Sequence, residues 1–317
     1  MSEQKQNGAL PFAFLKGKIV PIEEANVSIM TNGLQYGNGI FGGIRGYLEK
    51  TKSSNNTQTK INIFRISDHY DRFLKSLRIL NQTISYTKEQ LVKITLELAR
   101  RNKPTVDCYF RPFAYASHLG FSPDLLHAKF DFALYMVSMG EYLPVSAGLK
   151  LMISSWTRIS DRSIPARAKI CGAYVNSSLA KAEAVSSGFD DAMMLSEDGH
   201  ISEGSAANFF MVRHGVLVTS PKHSDILEGV TRRSVLKIAK DLGIPTEERE
   251  IDRTESYIAD EAFLCGTGVQ VAWIKEIDGR KLGDGKIGPI TEKLQKIFFS
   301  IVRGQSEKYH HWLTRID

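Results

Sequence analysis

The sequence predicts an α+β protein in two domains, and three observations carry that prediction. Short apolar segments bounded by turn residues are interspersed with longer stretches of helical period, without a regular strand-helix-strand alternation. No GxGxxG follows a first strand, which argues against a dinucleotide-binding sheet. At 317 residues the chain outgrows one ordinary core and suits two units of about 150 residues each. The stretch GEYLPVSAGLK carries the Gly and Pro expected of a linker. The expected division is therefore residues 1–138, a linker at 139–149, and residues 150–317.

In chain order, FAFLKGKIVP turns at Lys16-Gly17, and GIRGYLEK is separated from KINIFRI by the polar tract TKSSNNTQTK, which reads as an exposed hairpin loop. Ser67 is positioned to cap a helix in which Tyr70, Phe73, Leu74 and Leu77 share one face. Thr87 and Gln90 form a capping-box pattern ahead of LVKITLELARR. DCYFRPFAYA and FDFALYMVSM read as strands. Beyond the linker come the strand LKLMISS, a helix over Val175 to Ser187, the strand DDAMMLS and the hairpin pair NFFMV and VLVTS. A helix from Thr231 to Leu242 aligns Val235, Ile238, Ala239 and Leu242, and the last helix aligns Leu294, Ile297, Phe298 and Ile301. No internal repeat is visible.

Hydrophobic residues make up 42% and charged residues 24%, the balance of a folded globular protein rather than a disordered or fibrous one. The net charge of +6 is spread among acids with no aromatic-basic stripe, so a solvated surface is expected rather than a nucleic-acid or membrane partner. Small anionic substrates remain compatible with it. No apolar run is long enough to span a bilayer, and MSEQKQNGALPFAF lacks the pattern of a signal or transit peptide. Cys108, Cys171 and Cys265 are odd in number and lack metal-ligand spacing, which points away from a disulfide framework or a metal site and toward the cytoplasm.

Five segments carry chemistry. Lys169 sits among Ala166, Ala168, Ile170, Cys171, Gly172 and Ala173. Exclusion of water there would lower its pKa and leave a neutral amine able to condense with a carbonyl. The same neighbourhood also suits an ordinary loop lysine. Glu203, in DGHISEGSAANFF, follows an Asp-Gly pair suited to a turn and precedes an apolar strand, so it is either a held acid or a solvated one. ILEGVTRRSV offers backbone N–H groups of Gly229, Val230 and Thr231 at a helix start, where a phosphate or a plain cap would fit. Arg65 stands between a strand and a helix, and Gly266, Thr267 and Gly268 end an apolar strand. Guanidinium groups and Gly-flanked amides both receive anions, and generic turns share these compositions.

Taken in order, LQYGNGIFGGIRGY, FRISDHYDRF, CYFRPFAY, SSWTR, ARAKICGAYVNSS, ISEGSAANFF, LEGVTR and CGTG resemble the class IV aminotransferases that use pyridoxal 5'-phosphate, and within them the branched-chain amino acid aminotransferases. The resemblance spans nearly the whole chain. It implies the two-domain fold type IV architecture with the cofactor in the interdomain cleft. Lys169 then matches the Schiff-base lysine and the shuttle for the substrate's Cα proton. Glu203 matches the acid on the pyridine nitrogen, Tyr174 the residue bonded to the phenolic oxygen, and Arg65, Val230, Thr231 and Thr267 the phosphate clamp.

For substrate, the resemblance implies that Thr267, Gly268 and Tyr109 meet the α-carboxylate, that Arg111 with Tyr36 takes the side-chain carboxylate of glutamate, and that Phe41, Tyr142 and Tyr174 form an apolar wall. The implied reaction moves the amino group of leucine, isoleucine or valine to 2-oxoglutarate. Gly42 and Met139 depart from the family pattern, where glutamate and a bulky aromatic are common, and the expectation is a larger or softer pocket. A D-amino acid transaminase shares the chemistry, an aminodeoxychorismate lyase shares the fold but eliminates rather than transfers, and a non-catalytic pyridoxal phosphate binding or regulatory protein is the alternative from another class. The resemblance also implies a homodimer or larger assembly, with SHLGFSP at residues 117 to 123 as the loop that completes a neighbour's pocket.

Overall fold

The computed structural model describes residues 8–49, 60–140 and 147–316. Tyr142 and all but the last residue of the polar tract expected as a hairpin loop lie outside them. The chain divides into a first unit of Met1–Gly140, Ala168–Gly172 and Ser300–Asp317 and a second of Glu141–Arg167 and Ala173–Phe299. A single cut at 139–149 thus captures only part of the division, because two later pieces return to the first unit by backbone pairing. Leu313–Ile316 pairs antiparallel with Ile61–Phe64, and Ile170 bridges to Ile40.

The described helices are α1 (Asn32–Tyr36), α2 (Ile66–Ile79), α3 (Lys88–Asn102), α4 (Tyr174–Ser186), α5 (Val230–Asp241), α6 (Arg253–Ser256) and α7 (Pro289–Val302). The helix expected behind Ser67 begins before that residue. Arg65 is its N-cap, in the left-handed region at φ 48°, and no side chain caps it, so Ser67 lies inside the first turn. The capping box of α3 forms as its sequence predicts, with Thr87 Oγ1 and Gln90 Oε1 each accepting the other residue's backbone N–H. Among the described residues no helix is long and apolar enough to cross a membrane.

The first unit is built on an antiparallel sheet of eight strands. Its longest pair, Cys108–Ala116 with Phe130–Ser138, runs in unbroken register from Cys108↔Ser138 to Ala116↔Phe130. Both strands alternate between a buried and a half-buried face, as an antiparallel sheet with one covered side should. On the covered side Phe73 of α2 meets Phe132 edge to face at 6.0 Å. Arg111, Phe113 and Tyr115 occupy the opposite face, where Phe113 stacks on Tyr135.

The second unit holds a mixed sheet of nine strands. Inner strands such as Asp191–Leu195, Asn208–Arg213 and Glu261–Gly266 are nearly continuous buried runs because both faces are covered. Met193 of Asp191–Leu195 joins Leu149, Leu151, Phe209 and Met211 on one side. Its neighbours Ala192 and Met194 pack with Ala180 and Ala184 of α4 on the other. Each unit combines a sheet with helices outside any regular alternation, the α+β arrangement expected.

Candidate active site

In the first unit, Lys169 lies on irregular backbone that is nonetheless pinned like a strand. The Phe41 N–H donates to the Lys169 carbonyl at 3.0 Å, the Cys171 N–H to Gly39 at 2.8 Å and the Gly172 N–H to Gly37 at 3.1 Å. Gly37 has φ 67°, and a Cβ there would come within 2.8 Å of the Gly172 Cα. Glycine at 37 therefore serves both the left-handed backbone and the close approach. The Lys169 N–H also reaches Ser76 Oγ of α2 at 3.4 Å.

This pinning brings two cations to one aromatic ring. Lys169 Nζ stands 4.7 Å from the Phe41 ring centre, and the Arg111 guanidinium stands 4.8 Å from that ring and 5.0 Å from the Tyr109 ring. Phe41 and Tyr109 are buried. Arg111 Nε is buried without a hydrogen-bond partner among the described residues, an unsatisfied donor on a cation, suited to receiving an anion. Burial pushes the Cys171 thiol up to about 11, against the pull of Arg111 and Lys169 beside it. Elsewhere in the unit, Arg65 forks onto Asp68 through bonds of 2.9 and 3.0 Å and stacks on Trp312 at 4.7 Å.

In the second unit the acid is Glu203, 4% exposed. The strand Ile201–Gly204 pairs Ile201 with Leu195 and Glu203 with Met194, so Ser202 is an extra residue at a β-bulge. Bulges re-aim the side chains that follow them. Glu203 Oε1 meets Arg158 Nη2 at 3.0 Å, and Oε2 accepts from Asn208 Nδ2 at 2.8 Å and from the Leu227 N–H at 3.2 Å. Arg158 is itself buried, donating to Ser177 Oγ and to the Asp225 carbonyl, each at 3.3 Å. A cation and two N–H donors on a buried carboxylate favour its charged form.

Leu227 leads into Gly229, the N-cap of α5, which has no side chain to cap the helix. The first-turn amides of Val230 and Thr231, both buried, lack helical partners by construction and form the positive end of the helix dipole. Tyr174 opens α4. Thr267 and Gly268 lie in the short turn joining Glu261–Gly266 to Gln270–Ile277, closed by Gln270 at φ 61°.

The family model for amino-transferase class IV matches residues 53–277. The chain is 44% identical to a probable branched-chain-amino-acid aminotransferase of Aquifex aeolicus, covering 97% of each chain. The chain belongs to the class IV aminotransferases. Among solved structures, this aminotransferase is similar to the branched-chain aminotransferase of Thermoproteus uzoniensis with norvaline, at 41% identity and a TM-score of 0.91, covering 98% of this chain and 100% of that one. It is also similar to the branched-chain amino acid aminotransferase of Thermobaculum terrenum in its PLP form, at 35% identity and a TM-score of 0.91, covering 98% and 99%.

Within each unit the groups of this aminotransferase fit pyridoxal phosphate: a lysine on pinned backbone and the Arg65 guanidinium in one, a buried paired carboxylate and a helix start without a side-chain cap in the other. Two expectations change. Gly42 faces Pro112, whose Cγ would lie 2.6 Å from an added Cβ. That is the helix-covered side of the sheet, away from Arg111, so glycine there relieves a clash instead of enlarging the wall. Tyr36, expected beside Arg111, donates its hydroxyl to the Phe121 carbonyl and would have to exchange that bond to serve a carboxylate. Met139 is fixed by its backbone, between the Asp107 carbonyl at 2.9 Å and Arg45 at 3.2 Å. Sequence reading missed Arg158 and Asn208 as partners of Glu203. Arg158 closes the segment SSWTR, and a buried acid demands a cation, so the sequence carries a signal for it.

Proposed function

We propose that this aminotransferase moves the amino group of leucine, isoleucine or valine to 2-oxoglutarate, giving the branched 2-oxo acid and L-glutamate, with pyridoxal 5'-phosphate carried on Lys169. The observation that carries the reading is Arg111, a cation with an unsatisfied buried donor set against the apolar rings of Phe41 and Tyr109. One site of that composition accepts an aliphatic side chain on the rings and a distal carboxylate on the guanidinium. The names of the relatives support the same substrate class.

When bound, pyridoxal phosphate supplies an aldehyde that condenses with amines and a ring that accepts an electron pair. Glu203, paired with Arg158, would hold the ring nitrogen in its protonated form. Lys169 Nζ would hold the cofactor and, once displaced by substrate, would serve as the base that moves the substrate's Cα proton. Val230 and Thr231 amides bind the phosphate with Thr267 and Arg65, the latter by sharing its guanidinium with Asp68. Tyr174 donates to the phenolic oxygen. Thr267, Gly268 and Tyr109 orient the α-carboxylate, Arg111 and Tyr36 the distal one, and Phe41 with Tyr142 exclude water from the aliphatic side chain.

We further infer a homodimer or larger assembly acting in the cytoplasm. Three cysteines that remain thiols support the compartment, and a set of exposed apolar side chains around residues 117–126 supports the assembly. The test of the activity follows glutamate formation from 2-oxoglutarate with a panel of L- and D-amino acids. L-Leucine, L-isoleucine and L-valine are expected to be the best donors, and borohydride is expected to fix the cofactor to Lys169. Preference for D-amino acids, or attachment to another lysine, overturns the assignment.

A further inference from the structure

We propose that Asn208 is a positioning residue that ties the Glu203 carboxylate to the start of α5, so that the acid on the ring nitrogen and the phosphate-binding amides are held as one unit. The inference rests on the function proposed above and goes beyond it.

Asn208 Nδ2 donates to Glu203 Oε2 at 2.8 Å and to the Leu227 carbonyl at 2.9 Å. Both partners are acceptors, which fixes the orientation of the amide. The loop closes because the Leu227 N–H donates back to the same Glu203 oxygen at 3.2 Å. Asn208 cannot drift, since its backbone is registered against Cys265 within the sheet. Its other amide atom, Oδ1, lies over Gly229: a Cβ built there would fall 2.2 Å from it. Gly229 has φ −64° and ψ 140°, a conformation open to any residue. Glycine is present at this N-cap to leave room for Asn208, not to relax the backbone.

A purely structural asparagine would satisfy buried groups and stabilise the fold. A positioning asparagine does more: it transmits any displacement at the α5 start to the carboxylate, and the reverse. Two variants separate these roles. Asn208→Asp replaces the donating Nδ2 with an acceptor oxygen and sets a like charge beside Glu203, which raises the carboxyl's affinity for a proton. Gly229→Ala removes no hydrogen-bonding group and adds no titratable one, yet pushes Asn208 off its partners.

The experiment measures two quantities for each variant: the affinity of the cofactor-free protein for inorganic phosphate, and the pH profile of the leucine half-reaction in the holoenzyme. Both variants are expected to weaken phosphate binding by at least about 10-fold, in the range of a displaced buried hydrogen bond. Both are expected to move the acid limb of the profile upward, Asn208→Asp further than Gly229→Ala. A shift caused by alanine at 229 is the diagnostic outcome, because a structural role would not move a titration. Wild-type values of both quantities overturn the proposal, and so does a change in one without the other. Gly229→Ala carries the test alone should Asn208→Asp fail to fold. Failure of the underlying function reads differently: Glu203→Gln at the wild-type half-reaction rate removes Glu203 from the chemistry whatever Asn208 does.

Discussion

At the scale of single residues, a site that receives both glutamate and leucine has to solve one electrostatic problem. An unpaired buried carboxylate costs several kcal/mol, yet a cation left bare is nearly as costly when leucine is bound. Arg111 answers both, because its guanidinium rests on the Phe41 and Tyr109 rings, which compensate part of the charge in the absence of an anion. Arg111→Met keeps much of the length and loses the charge. The glutamate and 2-oxoglutarate half-reactions should slow by at least about 100-fold, on the order of 3 kcal/mol, while leucine changes much less. Stopped-flow measurement of each half-reaction checks this, and equal losses would mean that Arg111 holds the shared α-carboxylate or the fold. The thiols offer a second residue-scale prediction. Burial pushes Cys171 up to about 11 and Cys108 up to about 12, and raises Cys265 as well. Each folded pKa lies above its unfolded value, so the folded chain keeps protons that the unfolded chain loses, and stability should fall as pH rises from about 9 toward 11. In native protein at pH 8 the buried Cys108 and Cys265 should react with a disulfide reagent only in denaturant, and the half-buried Cys171 slowly. Rapid titration of a thiol in the native protein would contradict the burial.

Elements were legible where local chemistry decides them. Thr87 and Gln90 announce α3 because a capping box is a contract between side chain and backbone within four positions, and it forms as read. Thr87→Ala should lower stability by about 1 kcal/mol, measured as a reduced urea midpoint at constant slope, whereas Ser67→Ala should change little because α2 starts from Arg65. A Ser67→Ala loss equal to that of Thr87→Ala would restore serine as the cap. The alternating strands around Arg111 were legible for the same reason: period two and one covered face leave a clear pattern. What stayed hidden depends on long-range register. Glu203 is aimed by an extra residue in its strand, and its cation arrives from a segment 45 positions earlier, at Arg158. Nothing in the local sequence around ISEG encodes that meeting. Gly42 misled for a related cause, since its missing side chain is accounted for by Pro112 on the next strand, which only the pairing of the sheet reveals.

For the molecule as a whole, length and linker composition pointed to two parts, but nothing in the sequence announced that Ala168–Gly172 and Ser300–Asp317 group with the first unit, because backbone pairing at long separation leaves no periodicity. The same unit carries the strongest sign of assembly. Ile29 is 84% exposed, Phe121 82% and Leu126 79%, with Leu34 and Leu119 exposed beside them in sequence. These side chains do not hang on a loose loop. The Asn32 N–H and side-chain amide of α1 donate to the carbonyls of His118 and Ser122 at 3.0 and 2.6 Å, and Gln35 reaches Gly120 at 3.3 Å. Apolar groups held in water by a hydrogen-bonded backbone keep their full hydration penalty until another surface covers them. A second copy of the chain is the proposed cover. Phe121→Asp should then raise the dissociation constant of the dimer by at least about 100-fold, on the order of 3 kcal/mol for a large aromatic lost at an interface. The backbone bonds to α1 remain, so the unfolding midpoint of the separated chain should hold at low protein concentration. Sedimentation velocity across a dilution series reads the association directly. A wild-type monomer at all concentrations, or a Phe121→Asp dimer as tight as the wild type, would move the interface away from residues 117–126.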